Sequence, residues 1–166
     1  MRRAKPLAAA LAVALCLAPA AHAPAQEIAF VIRHAEKADG ADPALTQRGR
    51  DQAAAWAAML TGAGIDAIVT SEARRTRETG AIVGAALSIE PSEVPASDRA
   101  GLLDLLTFDH AEDRVLVVGH AETIPGILNA MNVAGPGAIA EGDFGNLFVV
   151  THPGEETARL VHLRLP

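Results

Sequence analysis

Four residues of this chain have the chemistry that binding or transferring a phosphoryl group requires. They are Arg33, His34, Arg75 and His120. A guanidinium group offers forked donors to phosphoryl oxygens, and an imidazole can donate a hydrogen bond or attack phosphorus. The four residues lie in three separate segments of the chain. Their chemistry therefore depends on elements that bring those segments together.

Each of the three segments begins with an apolar run that is typical of a strand buried in a sheet. The runs are Ile28–Ile32 (IAFVI), Ile65–Thr70 (IDAIVT) and Val115–Val118 (VLVV). Ligand sites of open α/β sheets lie beyond the carboxyl ends of the strands. We therefore expect the histidines and arginines to meet at one rim of a sheet.

The remaining segments predict the other elements of a three-layer α/β/α sandwich with a mostly parallel, mixed sheet. Helices are predicted from Thr46 as cap to about Thr61, over Arg74–Leu87, from Ser97 as cap to Leu106, and over Pro125–Met131. Ser88–Val94 contains Pro91 and is ambiguous, being most consistent with an edge strand. Leu147–Thr151 and Ala158–Leu163 predict an antiparallel pair joined by a short turn region.

The first 25 residues have the layout of a secretory signal peptide. Basic residues within Met1–Lys5 precede the apolar run Leu7–Ala18, and small residues at Ala21, Ala23 and Ala25 offer cleavage sites. The run is too short to span a bilayer as a helix, so a stable membrane anchor is not expected. Cys16 does not predict lipidation, because the residue before it is leucine rather than a small residue. We therefore expect cleavage after Ala23 or Ala25, a periplasmic or secreted protein, and one domain over residues 26–166.

The composition argues against several classes of function. The 166 residues carry a net charge of −6, and aromatic residues make up 3%. Neither value is typical of a nucleic-acid-binding protein, which presents a basic field and often aromatic platforms. The single cysteine lies in the predicted signal peptide, so no disulfide or thiolate chemistry is expected in the domain. The other histidines are scattered singly, so the spacing predicts no metal site.

The sequence resembles the histidine phosphatase superfamily, also called phosphoglycerate mutase-like. The matching stretches are Val31-Ile32-Arg33-His34-Ala35-Glu36-Lys37, Leu45-Thr46-x-x-Gly49, Thr70-Ser71-x-x-x-Arg75-x-x-x-Thr79 and Val117-Val118-Gly119-His120. Their order and spacing hold from about Ile28 to Leu163, which is nearly the whole of the predicted domain. The short length is most similar to the small single-domain branch that includes phosphohistidine protein phosphatases.

The resemblance implies a role for each matching residue and requires neither a cofactor nor a metal. His34 would be the nucleophile that forms a phosphohistidine, and Arg33, Arg75 and His120 would hold the phosphoryl oxygens. Neighbouring arginines disfavour an imidazolium, which keeps His34 neutral and nucleophilic. The same arginines would neutralise charge on the transferred group.

The chain departs from the family pattern at two positions, and its general acid is open. Ala35 stands where the family usually has glycine, a small change that we expect the turn to tolerate. Glu122 stands in a segment where related small proteins often have a neutral residue. The acid that protonates the leaving group is expected to be Asp98, with Glu93 and Glu122 as alternatives. Asp98 could instead cap the helix that follows it.

These observations predict an exported phosphatase that hydrolyses phosphomonoesters through a phosphohistidine on His34. One alternative is a domain that binds a phosphorylated ligand with little turnover, and another is a phosphohistidine or phosphoprotein phosphatase. A mutase is disfavoured because an exported enzyme would lack the phosphorylated intermediates that prime it. The expected partner is a phosphorylated small molecule, an envelope sugar or a phosphopeptide, and the sequence does not distinguish among them.

Overall fold

Residues 28–165 are described by a computed structural model, in which six strands form one mixed sheet. The strands are β1 (Ile28–Arg33), β2 (Ala67–Thr70), β3 (Ser92–Glu93), β4 (Arg114–Gly119), β5 (Asn146–Thr151) and β6 (Arg159–Arg164). Their order across the sheet is β3-β2-β4-β1-β5-β6. The first four are parallel, whereas β5 pairs antiparallel with both β1 and β6. The predicted signal peptide lies outside the described residues.

The helices cover both faces of this sheet. They are α1 (Gln47–Leu60), α2 (Arg74–Leu87), α3 (Arg99–Asp104) and α4 (Ile124–Ala130), and a π-helical turn over Leu105–Asp109 continues α3. Trp56 of α1 and Val83 of α2 pack with Ile68, Leu116 and other buried strand residues on one face. Leu102 of α3 and Leu128 of α4 belong to the core on the opposite face. Because successive strand residues point to opposite faces, the apolar runs supply both cores at once.

The structure confirms the predicted three-layer architecture, with local corrections. Helix α2 has the predicted bounds, and Thr46 caps α1 by accepting a hydrogen bond from the amide of Gly49 at 3.0 Å. The ambiguous segment contributes only the two-residue edge strand β3. The predicted cap of α3 at Ser97 is wrong, because Asp98 accepts the hydrogen bond from the amide of Gly101 at 2.8 Å. A carboxylate placed there satisfies an amide that the first turn leaves unpaired.

The parallel strands bring the ends of β1, β2 and β4 to one rim. Arg33 pairs in register with Gly119, and Thr70 pairs with Val118. The residues that follow these positions, His34, Ser71 and His120, therefore emerge side by side. Across residues 28–165, no helix is long and apolar enough to cross a membrane.

Candidate active site

His34 is buried at the end of β1 with one ring nitrogen held by the backbone. Its Nδ1 lies 2.8 Å from the carbonyl oxygen of Ala35, and its side chain is nearly inaccessible to solvent. A carbonyl oxygen can only accept, so Nδ1 carries the proton and Nε2 keeps its lone pair. Burial, together with the nearby Arg33, His120 and Arg75, lowers the pKa of His34 to about 4. At neutral pH His34 is therefore an uncharged imidazole with a nucleophilic Nε2.

Thr79 and the backbone of Arg75 fix the turn that follows His34. The amide of Ala35 donates to Oγ1 of Thr79 at 3.0 Å, and that hydroxyl donates to the carbonyl oxygen of Arg75 at 2.7 Å. The methyl group of Ala35 is buried in a small cluster with Leu45 and Ala53. The cluster accommodates alanine where glycine was the expected residue. Helix α2 thus supports the backbone that orients the nucleophile.

Arg33 is buried beside His34, and its guanidinium group is only partly satisfied by protein atoms. Its Nη1 donates to the carbonyl oxygen of Ala140 at 3.0 Å, and its Cζ lies 4.3 Å from the ring centroid of Phe144. Its buried Nε has no hydrogen-bond acceptor among the described residues. Burial lowers the pKa of Arg33, but an arginine remains cationic at neutral pH. A buried cationic donor without an acceptor is suited to an anionic ligand.

Arg75 and His120 form the opposite side of the site. Nη2 of Arg75 donates to Nδ1 of His120 at 3.1 Å. The buried Nε of Arg75, like that of Arg33, has no acceptor within residues 28–165. The ring centroids of His34 and His120 are 5.3 Å apart. The two guanidinium groups and His34 therefore line one cavity, whereas both ring nitrogens of His120 are engaged by Ser71 and Arg75.

A buried chain of hydroxyl groups orients His120. Nε2 of His120 lies 2.8 Å from Oγ of Ser71, which lies 2.8 Å from Oγ1 of Thr76. The Thr76 hydroxyl is also 2.8 Å from the carbonyl oxygen of Ala73, which can only accept. Since Arg75 supplies a proton toward Nδ1, every bond is satisfied if His120 donates to Ser71, Ser71 to Thr76, and Thr76 to Ala73. This order holds His120 in the neutral form with its proton on Nε2.

Ser71 belongs to one of the sequence motifs, but no role was expected for Ser71 or Thr76. The Thr-Ser pair at the end of β2 and a threonine in the first turn of α2 were the available signal. The contact between Ser71 and His120 joins residues that are 49 positions apart in the chain. Burial lowers the pKa of His120, and the charge of Arg75 lowers it further. Both effects favour the neutral imidazole that the hydroxyl chain describes.

The three candidate acids occupy different places. Asp98, the expected acid, caps α3 and does not line the cavity around His34. Glu93 lies on the edge strand β3, where its carboxylate is 3.8 Å from Nη1 of Arg77. Glu122 follows His120 and lines the same cavity as Arg33, His34 and Arg75. Of the three candidate acids, Glu122 shares a cavity with the candidate nucleophile, whereas Asp98 lines a neighbouring cavity together with His120 and Glu122.

We call this cavity the phosphoryl cup. It has a volume of about 590 Å³ and is lined by Arg33, His34, Lys37, Arg75, Ala121, Glu122, Pro125, Ala138, Ile139 and Glu141. The lining combines three cations with two carboxylates, so the positive charge is local in a protein that is acidic overall. Within residues 28–165, no group of three or more His, Cys, Asp or Glu residues is arranged to hold a metal ion.

Comparison with known proteins shows similarity to one protein family and to a set of solved structures. The model of the histidine phosphatase superfamily (branch 1) matches residues 29–98, which include Arg33, His34 and Arg75. No curated protein matches the chain in sequence. Solved structures match over most of the chain, at sequence identities that establish the fold alone.

Three of these structures illustrate the likeness. A protein provisionally named phosphohistidine phosphatase SixA from Nakamurella multipartitia is 24% identical, with a TM-score of 0.62, covering 84% of this chain and 96% of its own. The protein histidine phosphatase SixA complexed with tungstate is 19% identical, with a TM-score of 0.65 and coverages of 82% and 96%. A mycobacterial glucosyl-3-phosphoglycerate phosphatase is 14% identical, with a TM-score of 0.62 and coverages of 84% and 98%.

Proposed function

We propose that the chain belongs to the histidine phosphatase superfamily, whose model matches residues 29–98, and that it is a metal-independent phosphatase that hydrolyses phosphomonoesters through a phosphohistidine on His34. The observation that carries the proposal is that Arg33 and Arg75, whose buried Nε donors have no acceptor within residues 28–165, line the same cavity as a neutral His34. These donors supply the charge-assisted hydrogen bonds that a transferred phosphoryl group needs. A structural relative complexed with tungstate, a tetrahedral oxyanion, supports the same interpretation.

The proposed first step transfers the phosphoryl group to His34. Nε2 of His34 attacks phosphorus, the bond between phosphorus and the ester oxygen breaks, and that oxygen takes a proton from the carboxyl group of Glu122. The Nδ1 proton stays hydrogen-bonded to the carbonyl oxygen of Ala35, which stabilises the positive charge on the phosphorylated ring. Arg33 and Arg75 line the cup and hold the phosphoryl oxygens while their charge is redistributed, and His120 positions the guanidinium group of Arg75.

The second step returns the enzyme to its starting state. The Glu122 carboxylate accepts a proton from a water molecule as that water attacks phosphorus. The bond between phosphorus and Nε2 then breaks, releasing inorganic phosphate and leaving neutral His34 and protonated Glu122. The same carboxyl group thus acts as acid in one step and base in the other.

Trapping the intermediate tests this mechanism. Rapid quenching during turnover of a radioactive phosphomonoester should leave label on His34 that is labile to acid and stable to base. The variant His34→Ala should show no label and no activity, whereas His162→Ala, which changes a histidine on β6, should retain both. Label on another residue, or wild-type kcat in His34→Ala, would exclude the mechanism.

Two structural relatives, one named a phosphohistidine phosphatase and the other a protein histidine phosphatase, favour a second candidate activity on phosphoproteins. A phosphohistidine phosphatase would use the same cup, with an imidazole nitrogen as leaving group in place of an ester oxygen. Assaying a phosphohistidine peptide beside small phosphomonoesters distinguishes the two activities. A domain that only binds phosphorylated ligands would form a complex with both and release phosphate from neither.

We propose further that the protein is exported, on the basis of the basic start, the apolar run and the small residues of positions 1–25. N-terminal sequencing of material recovered from the periplasm or medium should begin after Ala23 or Ala25. The variant Val13→Glu, which interrupts the apolar run, should stay in the cytoplasm with Met1 retained. A wild-type protein that keeps Met1 would contradict export.

A further inference from the structure

The aromatic ring of Phe144 lies against two residues of the proposed site. The Cζ atom of Arg33 is 4.3 Å from the centroid of that ring, and the ring centroid of His34 is 6.0 Å from it. The sheet explains this contact: β5 runs antiparallel to β1 with Ile32 opposite Leu147, so the residues just before β5 lie beside those that end β1. A phenylalanine has no group that transfers a proton or binds an anion, so its contribution to the site is to position its neighbours.

The backbone that carries the ring is anchored on both sides of Phe144. Asp143 precedes it, and a carboxylate oxygen of Asp143 accepts a hydrogen bond from Nη2 of Arg164 at 2.9 Å. Gly145 follows it, and the carbonyl oxygen of Gly145 accepts a hydrogen bond from the amide of Leu165 at 2.8 Å. The end of β6 therefore holds the ring in place without help from the residues of the site.

Within residues 28–165, every hydrogen bond of the Arg33 side chain is donated by Nη1. Its acceptors are the carbonyl oxygens of Ala140, at 3.0 Å, Glu141 and Asp143. Acceptors that share one nitrogen fix the position of that nitrogen but leave the plane of the guanidinium group free to turn about it. Contact with the face of the Phe144 ring restricts this rotation, because a cation over an aromatic ring is attracted to it. The edge formed by Nη2 and the buried, unpaired Nε then remains for a ligand.

We propose that Phe144 is a positioning residue whose ring holds the guanidinium group of Arg33 in the orientation that presents Nε and Nη2 to two oxygens of the phosphoryl group. The proposal rests on the proposed function, because it assigns this pair of donors to the group that is transferred to His34. Two parallel N–H donors match the spacing of two oxygens on one phosphorus atom. Because the donors are already oriented, binding does not have to order a long side chain.

Replacing the ring tests the proposal without changing a residue of the proposed machinery. Phe144→Leu removes the aromatic face but keeps an apolar side chain, whereas Phe144→Tyr keeps the face. A cavity of about 440 Å³ that Phe144 lines has room for the added hydroxyl group. Phe108→Leu is the matched control, because Phe108 lies on the π-helical turn after α3 with 76% of its surface exposed. Each protein is titrated with inorganic phosphate by calorimetry and assayed with p-nitrophenyl phosphate.

A ring that orients Arg33 should affect both affinity and rate. In Phe144→Leu, the dissociation constant of phosphate should rise and kcat/KM should fall, each by roughly 3-fold to 10-fold. Phe144→Tyr and Phe108→Leu should stay within about twofold of the wild type, because both keep a ring beside Arg33. Unchanged values in Phe144→Leu, or an equal loss in Phe144→Tyr, would overturn the proposal. A wild type that does not cleave p-nitrophenyl phosphate would instead overturn the proposed function.

The NMR resonance of the Arg33 Nε–H group gives a measurement that a loss of stability alone would not change. Its disappearance in Arg33→Lys identifies it. An aromatic ring shields protons near its face, so the resonance should move downfield in Phe144→Leu and keep its position in Phe108→Leu. In the wild type, inorganic phosphate should also move it downfield, because the donor gains an acceptor. The absence of either shift would contradict the proposed orientation of Arg33.

Discussion

The hydrogen bonds of the two histidines determine which nitrogen of each ring is available for chemistry. His34 donates from Nδ1 to a carbonyl oxygen and keeps Nε2 free, whereas the proton of His120 is held on Nε2 by Ser71. The two imidazoles, whose ring centroids are 5.3 Å apart, are therefore opposite tautomers and have different roles. His34 is prepared for attack, and His120 accepts a hydrogen bond from Arg75 and so holds that guanidinium group in place.

Removing the hydroxyl of Ser71 should leave His120 in this tautomer but without a partner for its proton. In Ser71→Ala, the Nε2–H group of His120 loses its buried acceptor while Arg75 still donates to Nδ1, so the proton should stay on Nε2 and kcat/KM should fall about tenfold. Nitrogen-15 NMR measures the tautomer directly, and the variant His120→Gln identifies the resonances. Ser92→Ala, which changes a serine of the edge strand β3, is the control. A wild-type His120 with its proton on Nδ1 would contradict the assignment.

The identity of the proton donor is a second prediction about single residues. A positioned acid matters most when the leaving group is poor, because a good one departs as its anion. Glu122→Gln should therefore slow an alkyl phosphate by about 10²-fold to 10⁴-fold and p-nitrophenyl phosphate much less. Asp98→Asn should affect both esters equally and mainly lower stability, since Asp98 caps α3. If Asp98→Asn alone shows the dependence on leaving group, the acid is Asp98.

The first turn of helix α1 is in close contact with the turn that follows β1, and this contact restricts which residue can stand at position 49. Thr46 caps α1, its hydroxyl contacts a carboxylate oxygen of Glu36 at 2.8 Å, and its amide donates to the carbonyl oxygen of Glu36 at 3.0 Å. A Cβ at Gly49 would collide with that same carbonyl oxygen. The first turn of α1 thus approaches the backbone two residues after His34 more closely than any side chain allows.

Gly49→Ala should therefore be destabilising even though alanine favours helices. Forcing a methyl group into this contact should lower the free energy of unfolding by about 1–3 kcal/mol, because the neighbour is backbone and cannot rotate away. Urea denaturation followed by the fluorescence of Trp56, the single tryptophan of the chain, measures the change. Gly137→Ala has open space around its Cβ and should be nearly neutral. Equal stability of the two variants would exclude the close approach.

For the molecule as a whole, burial of the two site histidines makes the free energy of unfolding depend on pH. The pKa of His34 is lowered to about 4 by burial and by the neighbouring cations, whereas an exposed histidine titrates near 6.5. The unfolded chain therefore binds a proton that the folded protein excludes. Above pH 6.5 both states hold His34 neutral and the free energy of unfolding is at its full value. As the pH falls from 6.5 toward 4, the unfolded state gains a proton that the folded state does not, so the free energy of unfolding decreases. The lowered pKa of His120 acts in the same direction.

We expect the free energy of unfolding to fall by about 2 kcal/mol between pH 7.5 and pH 5 through His34 alone. Glu72, Glu78 and Asp143, whose pKa values are lowered, contribute mainly below their ordinary values of 4.5 and 3.8. Urea denaturation at the two pH values measures the change, and His34→Asn should lose distinctly less stability than the wild type. An identical loss in both proteins would mean that His34 is not held neutral by the fold.

Much of this protein could be predicted from the amino-acid sequence because the relevant signals are local. Three apolar runs and the helical spacing between them determined the sandwich, and Thr46 and the bounds of α2 followed from capping and periodicity. The rule that ligand sites lie beyond the carboxyl ends of the strands then implied that Arg33, His34, Arg75 and His120 share a rim. Each inference needed only the types of neighbouring residues and the rule for where parallel strands end.

Only the tertiary structure determines the contacts between residues that are far apart in the chain. The hydroxyl chain from His120 through Ser71, the position of Glu122 between two cavities, and the capping role of Asp98 all depend on where side chains meet in space. A carboxylate that caps a helix and one that faces a phosphoryl group look alike in sequence, because both are acidic residues after a strand. Distance, burial and the partner of each polar atom separate them, and these quantities exist only once the chain has folded.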